Sequence, residues 1–383
     1  MTVLFWLALL TFLLTFIAAF DLLRGNRTIT ALRDVTSAAE KTLPRVSIII
    51  PARNEQRNIH EALQSLLELN YPDYELIVID DRSEDDTGRI LDEMAIASAR
   101  LQVIHLEHLP SGWLGKNHAL WVGSRTASGE LFLFTDADIF MEPSILSRAV
   151  TFLERNSLDH LAATPSMRMP TVFLAMFGAA FIIFFSLFAR PWKAKDAGSR
   201  CHIGIGAFNL VKARTYRLVG GHATIRLRPD DDIKLGKIIK MNGFRQDVVY
   251  APDFLAVEWY ASLQEVIKGL EKNAFSGADY NVPLVLFGSL FHLVCSIWPF
   301  MAIFFTDGAV QGLYLATVVL ITVVFVDSAR FNHVKAWHGV GYPLATLLFV
   351  YILLRTMLLN IVQGGIYWRG TFYSLQELKS NKV

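Results

Sequence analysis

The sequence predicts an α/β domain with a mixed, mostly parallel sheet, set between an apolar N-terminal segment and apolar C-terminal segments. Short runs rich in Val, Ile, Leu and Phe alternate with stretches of helical spacing, which is typical of a sheet covered on both faces. Of the 383 residues, 53% are hydrophobic and only 19% are charged. A polar domain must therefore share the chain with segments of membrane length.

Four apolar runs lie outside the polar domain, at residues 3–20, 282–305, 309–326 and 342–362. Each is close to the length that crosses a bilayer. The first lacks a basic start and a small-residue cleavage site, so it predicts a retained anchor over residues 1–23 rather than a signal peptide. Arginines follow this anchor and no charge precedes it, which predicts a polar domain on the cytoplasmic side of the inner membrane.

The three later runs predict C-terminal transmembrane helices within residues 282–365, followed by a tail at 366–383. Three crossings after a cytoplasmic domain would leave this tail outside. Arg369, Lys379 and Lys382 in the tail favour the cytoplasm instead. The number of true spans after residue 282 therefore stays open.

Charge and cysteine content exclude other classes of protein. The 36 basic and 35 acidic residues give a net charge of +1, which does not indicate a nucleic-acid partner. The two cysteines, Cys201 and Cys295, form no CxxC pattern, so neither a zinc site nor a disulfide framework is predicted.

The polar domain, at residues 44–275, contains four predicted strands that end in polar clusters. The strands are VSIII (46–50), ELIVID (75–80), LQVIHL (101–106) and LFLFTD (131–136), and helical spacing follows each at residues 55–69, 84–99, 115–127 and from residue 143. Ligands of such sheets bind beyond the carboxyl ends of the strands. The clusters there are PARNE (51–55), DDRSEDDT (80–87), GWLGKN (112–117) and DAD (136–138).

Turn chemistry explains any one of these clusters, because Asp, Asn, Ser and Gly favour turns and helix N-caps. It does not explain why two strands end in paired carboxylates directed at one crevice. A hard divalent cation such as Mg²⁺ or Mn²⁺ would relieve their repulsion and would keep phosphate oxygens among its ligands. Lys116, which follows Gly112 and Gly115, would add positive charge to the same phosphates.

The motifs VSIIIPARNE, IVIDDRSEDDT, GKNHA and TDAD, in this order and spacing, resemble the family 2 glycosyltransferases of GT-A fold. PDDDIKLG (229–236) is similar to that family's acidic-acidic-x-x-Leu-Gly pattern, with Asp231 and Asp232 at the acidic positions. GAFNLVKARTYRLVGG (206–221) resembles the strand and turn that shape the sugar and acceptor pocket. The membrane runs, GLEKNAFSG (269–277) and YWRGTFYSL (367–375) are similar to the lipid-modifying branch, which includes ceramide glucosyltransferase and the carotenoid- and hopanoid-associated enzymes.

The resemblance implies a role for each motif residue. Asp138 would bind the metal that bridges the donor diphosphate, and Asp136 would contact the ribose or the metal. Asp232 would deprotonate the acceptor hydroxyl as general base, in a single displacement that inverts the anomeric centre. Asp80 and Asp81 would hold the nucleotide base with the loop at residues 51–55. The full set of expected substrate-binding residues is Pro51, Glu55, Asp80, Asp81, Lys116, Asp136, Asp231 and Lys272.

Two features leave alternatives open. The Q/R-x-x-R-W motif of processive members and of ceramide glucosyltransferase is missing, which argues against a long-chain polysaccharide synthase. Lys272 lies in that region, either at the diphosphate or acceptor or on the solvated face of an interfacial helix. The acidic run 230–232 is either a catalytic motif or an N-cap of a helix that starts near Ile233.

The uncharged stretch MPTVFLAMFGAAFIIFFSLFA (169–189) is long enough to span a bilayer. Asp138 precedes it and Asp232 follows it, and both must act on one substrate on one side of the membrane. We therefore expect an interfacial helix over residues 170–189, or one with a shallow re-entrant dip at Gly178. A buried core helix is the alternative.

The sequence thus predicts an inverting glycosyltransferase that moves a sugar from a nucleotide sugar, with UDP as the expected nucleotide, to a membrane lipid, using Mg²⁺ or Mn²⁺. One alternative is a polyprenyl-phosphate glycosyltransferase or a short-chain polysaccharide synthase. An alternative of another class is a membrane transport or scaffold protein whose GT-A domain no longer catalyses.

Overall fold

The computed structural model of the chain describes residues 3–37 and 43–383. The elements up to residue 168 are α1 (Val3–Asn26), β1 (Thr30–Ala31), β2 (Val46–Ala52), α2 (Ile59–Leu67), β3 (Tyr74–Asp81), α3 (Thr87–Ala97), β4 (Leu101–Leu106), α4 (Gly115–Thr126), β5 (Leu131–Phe134), β6 (Ile139–Met141), α5 (Ile145–Arg155), β7 (His160–Thr164) and β8 (Ser166–Arg168). The later elements are α6 (Val172–Ala189), β9 (Asn209–Lys212), α7 (Ala213–Leu218), α8 (Gly221–Thr224), α9 (Asp231–Met241), β10 (Gln246–Tyr250), β11 (Leu255–Glu258), α10 (Leu263–Glu271), α11 (Ala274–Gly277), α12 (Val282–His292), α13 (Trp298–Ala302), α14 (Gly308–Phe331), α15 (Tyr342–Gln363), β12 (Gly365–Trp368), β13 (Thr371–Ser374) and α16 (Leu375–Ser380).

The chain divides into two compact units. The sheet unit contains Ile29–Met167, Pro191–Glu258 and Ser380–Val383. The helical unit contains the chain up to Thr28, Arg168–Arg190 and Trp259–Lys379.

The sheet unit is built on an eight-stranded mixed sheet with the order β1-β10-β7-β9-β5-β2-β3-β4. Strand β9 runs antiparallel to its neighbours β5 and β7, whereas the other pairs in the sheet are parallel. Strands β2, β3, β4 and β5 are the four that the sequence predicts, within two residues at either end. The predicted mostly parallel α/β class is confirmed.

Both faces of this sheet are apolar. Ile48 and Ile50 of β2 belong to a core on one face, whereas Ile49 packs with Phe132 and Phe134 in a core on the other. Successive side chains of a strand point to opposite faces. A strand that lies between two layers must therefore be apolar almost throughout, and β2 is buried along its whole length.

The antiparallel strand β9 has a direct consequence for the polar clusters. The loop before β9 enters the sheet at the carboxyl end of β5, where Thr135 donates its hydroxyl hydrogen to the carbonyl of Ala207 at 2.8 Å. The backbone N–H of Asp136 donates to the carbonyl of Gly206 at 3.2 Å. The loop at 203–208 is thereby fixed against the DAD cluster.

The helical unit consists chiefly of long apolar helices. Five segments among the described residues are long and apolar enough to cross a membrane: Val3–Asn26, Val172–Lys193, Val282–Ala302, Gly308–Phe331 and Ala336–Gln363. Helix α6 runs through Gly178 without interruption, so the structure shows no dip at that residue. The run at 282–305 is interrupted by a π-helical turn, Leu293–Ile297, directly before Pro299. A proline lacks the N–H that the regular ladder needs, which accounts for the irregular turn.

Several charged residues at the ends of these helices form ion pairs within the unit, as expected for charges in apolar surroundings. Arg27, after α1, forms a bidentate pair with Asp327 of α14, with a shortest distance of 2.7 Å. Arg190 after α6 lies 3.3 Å from Asp21 of α1. These pairs fix which helix ends lie close together.

Candidate active site

Lys116 lies at the centre of an acidic cluster in the sheet unit. Its Nζ is 2.8 Å from Asp136 Oδ1 and 3.3 Å from Asp231 Oδ1. Lys116 comes from the first turn of α4, Asp136 follows β5, and Asp231 begins α9. Three predicted site residues from distant parts of the sequence therefore meet at one ammonium group.

Asp232 joins this cluster through Gly206. The backbone N–H of Gly206 donates to Asp232 Oδ2 at 2.7 Å, while its carbonyl accepts from the N–H of Asp136. A Cβ at residue 206 would lie 2.7 Å from Asp136 Oδ2 and 3.5 Å from Asp232 Oδ2. A side chain at residue 206 would therefore displace the carboxylate of Asp136, which favours glycine at this position.

Burial shapes the protonation of the cluster. Desolvation raises the pKa of the Asp231 carboxyl to about 7, because burial and the neighbouring carboxylates outweigh the effect of Lys116. Burial also raises the pKa of Asp232. Burial alone would lower the pKa of Lys116, but Asp136 and Asp231 raise it above its ordinary value. The ammonium of Lys116 thus stays charged, and this one positive charge faces more carboxylates than it can balance.

Histidine 222 lies beside the cluster and adds no second charge. Burial, with Lys116 nearby, lowers the pKa of His222 to about 3, so the imidazole is neutral at physiological pH. Its Nδ1 lies 2.8 Å from the hydroxyl of Tyr216, and its Nε2 lies 3.9 Å from Asp231 Oδ2. The uncharged imidazole therefore lies next to the acid cluster without adding to its charge.

Asp138, the predicted metal ligand, is half-buried near two other carboxylates. Burial raises the pKa of Asp138 to about 7, and Asp136 and Glu55 add to the shift. Within the part of the chain that the structure describes, no group of three or more His, Cys, Asp or Glu forms a complete ligand set. Mg²⁺ commonly takes one or two carboxylates and completes its shell with water and substrate phosphates. Asp136 and Asp138 fit an ion of this kind.

The two carboxylates at the end of β3 are also buried, and each has a basic partner. Arg82 donates from Nε and Nη2 to the two oxygens of Asp81, at 2.8 Å and 3.1 Å, and Arg53 Nη1 lies 3.9 Å away. Asp80 Oδ2 lies 2.9 Å from Nδ1 of His105. A Cβ at Gly115 would lie 2.2 Å from Asp81 Oδ2, so Asp81 packs against the start of α4.

The remaining predicted residues are divided between the two units. Pro51 pairs with Ile79 across β2 and β3, which brings the loop after β2 beside the loop after β3. In that loop the N–H of Glu55 donates to the hydroxyl of Thr87 at 2.8 Å. Lys272 belongs to the helical unit, where its Nζ lies 4.9 Å from the ring centre of Trp368. Its predicted contact with substrate stays a prediction.

The acidic run lies at the N-terminus of a helix, with Asp231 and Asp232 in the first turn. Helix α9 begins at Asp231 rather than near Ile233, and Asp230 in the N-cap position makes no capping hydrogen bond. The carboxylate of Asp230 instead pairs with Arg228, at 3.2 Å.

Sequence reasoning did not find Asn117, Arg82 and His105. Asn117 is fully buried, and its Nδ2 donates to the carbonyls of Ile225 and Arg228 at 2.8 Å and 3.0 Å. Its position in the GKN motif was visible, but its partners lie more than a hundred residues away. Arg82 adopts a φ of 57°, a conformation uncommon for a residue with a side chain, and no local pattern indicated it.

Comparisons with known proteins agree with this geometry. Residues 47–207 match the family described as glycosyl transferase family 2. The chain is 23% identical over 341 residues to 4,4'-diaponeurosporenoate glycosyltransferase of Staphylococcus aureus strain USA300, covering 87% of this chain and 89% of that protein. It is similar in structure to the mannosyltransferase PcManGT from Pyrobaculum calidifontis, solved with GDP-Man and Mn²⁺, with a TM-score of 0.58, 19% identity and coverage of 94% and 99%.

The sheet unit has the GT-A fold, and the chain carries a family 2 glycosyltransferase domain. The chain is a glycosyltransferase. The resemblance on which the sequence analysis depends is confirmed.

Gly206→Ala tests whether the backbone of this loop positions the carboxylates. The added Cβ would lie 2.7 Å from Asp136 Oδ2, so Asp136 must shift. Because misplacement by about 1 Å can cost about a hundredfold in rate, we expect kcat of sugar transfer to fall by roughly that factor. Gly112→Ala is unsuitable as a control because its φ is 78°; Gly198→Ala, with open space around the added methyl, should keep wild-type kcat. Equal activity of both variants would contradict the assignment.

A pH-dependent stability is expected from His105. Hydrogen bonds to Asp92 and then Asp80 raise the pKa of His105 above its ordinary value of 6.5. A raised folded-state pKa stabilises the fold fully below the unfolded pKa, and the contribution is lost as pH rises through the folded pKa. The thermal midpoint of wild type should therefore fall relative to His105→Gln as the pH rises above the ordinary histidine value of 6.5. His108→Gln, at an exposed position in the loop that follows β4, should follow wild type; parallel curves for all three proteins would exclude the effect.

Proposed function

We propose that this glycosyltransferase inverts the anomeric centre while moving a sugar from a nucleotide diphosphate to a lipid in the membrane. The observation that carries the proposal is the cluster of Lys116, Asp136 and Asp231, with Asp232 held beside it by Gly206. It combines a cation for phosphate, carboxylates suited to a metal ion and a carboxylate suited to act as base.

The donor would bind across the carboxyl ends of β2, β3 and β5. Asp80 and Asp81, positioned by His105 and Arg82, would hold the base, and Lys116 would contact the diphosphate. Asp138 and Asp136 would hold Mg²⁺ or Mn²⁺, which stabilises the negative charge that develops on the leaving diphosphate. The similar fold of a mannosyltransferase solved with GDP-Man and Mn²⁺ supports a nucleotide sugar and a divalent ion.

Asp232 would act as the general base. The N–H of Gly206 fixes Oδ2, and the N–H of Ile233 donates to Oδ1 at 2.8 Å, so the carboxylate has one orientation. Burial raises its pKa and thereby its basicity. It would take the proton of the acceptor hydroxyl while that oxygen attacks the anomeric carbon and the bond to the diphosphate breaks.

The lipid acceptor is supported by the apolar helices and by the name of the Staphylococcus relative, which specifies a carotenoid acid. A carboxylate acceptor has no proton to lose at neutral pH, whereas a hydroxyl acceptor does. A hydroxyl acceptor would therefore need Asp232 as its base, whereas a carboxylate acceptor would not.

We further propose that the sheet unit is cytoplasmic and that α6 does not cross the membrane. The chain enters α6 from Met167 and leaves it to Pro191, both residues of the sheet unit. A single crossing would place these two residues on opposite faces of the bilayer. Helix α6 therefore lies in the interface, as the sequence predicts.

The same argument applies to the end of α15. The N–H of Leu375 donates to the carbonyl of Gly364 at 2.7 Å, so the hairpin of β12 and β13 returns to the end of α15. Helix α16 adds about 9 Å, and Ser380 after it already belongs to the sheet unit. The C-terminal end of α15 must lie on the cytoplasmic side.

The start of α15 is tied to the same side. The ring centre of Tyr342 lies 6.3 Å from that of Phe325, two residues before Asp327. Asp327 pairs with Arg27. The next residue, Thr28, is the last one of the helical unit before the chain enters the sheet unit. Both ends of α15 would therefore lie on the cytoplasmic side of the membrane, and α15 packs on α6 through Phe349 and Phe184, whose ring centres are 4.8 Å apart.

This arrangement gives three crossings: α1, the interrupted helix at 282–302, and α14. The sequence leaves the number of spans after residue 282 open, with the run at 282–305 as its candidate for an interfacial or broken helix; in the arrangement proposed here, α15 is the interfacial helix. The tail then lies in the cytoplasm, where the positive-inside rule places Arg369, Lys379 and Lys382.

Asp232→Asn tests the catalytic proposal. Loss of the base should lower kcat for a hydroxyl-bearing lipid by about 10²–10⁴-fold while nucleotide binding with Mn²⁺ is retained. Activity is measured as nucleotide release in detergent with a native lipid extract, and Asp73→Asn on the exposed surface is the control. Full activity of Asp232→Asn on hydroxyl lipids, or no nucleotide-sugar binding by wild type, would refute the proposal.

Single cysteines at two exposed positions test the crossings. In a chain with Cys201 and Cys295 replaced by serine, Asp307→Cys lies between the second and third spans and should react with an impermeant maleimide added to intact cells. Lys382→Cys in the tail should react only after the membrane is opened. Labelling of Lys382→Cys in intact cells would show that α15 crosses.

A further inference from the structure

The residues that follow α16 are bound to a loop in front of the acid cluster, within the sheet unit. Asn381 donates from Nδ2 to the carbonyl of Thr224 at 2.9 Å and accepts at Oδ1 from the N–H of Leu227 at 3.0 Å. Its amide therefore satisfies one acceptor and one donor of the same loop, as a neighbouring strand would. Only this orientation of the amide satisfies both backbone groups.

Two more contacts keep this short segment in place. The side chain of Val383 packs against the core that contains Leu235 and Ile238 of α9. The ammonium of Lys237, also on α9, donates to the backbone oxygen of Val383 at 2.6 Å. The tail thus contacts both the helix that carries the acid cluster and the loop that leads into it.

The opposite side of this loop is held by the segment that carries Lys116. The N–H of Leu114 donates to the carbonyl of Arg226 at 2.9 Å. Asn117, next to Lys116, donates to the carbonyls of Ile225 and Arg228. The loop at 224–228 is therefore fixed between the GWLGKN segment on one side and Asn381 on the other.

This loop sets where α9 begins. Arg228 pairs with Asp230 at 3.2 Å, and Asp231 and Asp232 follow directly. A displacement of the loop would carry Asp231 away from Lys116 and Asp232 away from the N–H of Gly206. These two contacts, at 3.3 Å and 2.7 Å, define the cluster.

We propose that Asn381 is a positioning residue for sugar transfer: it fixes the loop at 224–228 so that Asp231 and Asp232 keep their places beside Lys116 and Gly206. The proposal rests on the function proposed above. The side chain of Asn381 bonds only to the loop before α9, whereas Lys116 is held separately on helix α4, so we expect the effect on the base rather than on the nucleotide. The rate of transfer should depend on it, and donor binding should not.

Three variants of the full-length protein test this role. Asn381→Ala removes both bonds and leaves the N–H of the buried Leu227 without its partner. Asn381→Asp keeps the acceptor for Leu227 and loses the donor to Thr224. Lys382→Ala is the matched control, because Lys382 is the exposed next residue.

The measurements are kcat and KM for transfer in detergent with native lipid extract, donor binding with Mn²⁺ and the thermal midpoint. We expect kcat of Asn381→Ala to fall about tenfold with KM and donor binding within about twofold of wild type, the signature of an interaction that acts on the transition state. Asn381→Asp should lie between Asn381→Ala and wild type, and Lys382→Ala should match wild type.

The outcomes separate this inference from the proposed function. If wild type binds no nucleotide sugar and transfers none, the function fails and the positioning role fails with it. If wild type is active and Asn381→Ala keeps its kcat, the positioning role alone is wrong. If Asn381→Ala loses kcat, donor binding and thermal stability together, Asn381 only supports the fold, and the positioning role is again wrong.

Discussion

The ion pairs of Lys116 with Asp136 and Asp231 are the contacts on which the rest of the sheet unit depends. Buried carboxylates repel one another, and a cluster of them is stable only around a cation or hydrogen-bond donors. The ammonium comes from α4 and its partners come from the end of β5 and the start of α9. Strand order, the antiparallel entry of β9 and the glycine at 206 all serve to bring these three segments within ion-pair distance.

The charge balance of this cluster links protonation to substrate. One ammonium faces the carboxylates of Asp136, Asp231 and Asp232, and burial raises the pKa of the last two. A divalent ion bound with the donor diphosphate would lower these pKa values. Asp232 would then be ionised when the donor is bound, which is the state a general base requires. The unbalanced carboxylate charge is thus suited to a site in which a metal ion binds together with the donor.

The sequence predicted those features that local pattern encodes. The four strands and their polar ends followed from apolar runs and turn residues, because burial on both faces of a sheet leaves a continuous apolar signal. Asn117 and Asn381 left no such signal, because their partners at residues 224–228 lie far away along the chain. The π-helical turn before Pro299 and the φ of Arg82 are likewise set by local geometry that composition does not report.

Hydropathy is a different kind of signal, because it measures length and polarity but carries no information about the two sides of a membrane. Helices α6 and α15 are as apolar as the helices proposed to span, and no window of residues distinguishes them. Only the covalent path does, since the chain must return to the sheet unit at Pro191 and at Ser380. The interfacial placement proposed for these two helices would also give them a use. An apolar pair in the cytoplasmic leaflet would offer a lipid a surface at the depth of its headgroup, where a sugar from the cytoplasm can reach it. An enzyme with a soluble acceptor would have no reason to keep two mainly apolar helices, of 18 and 22 residues, at that depth.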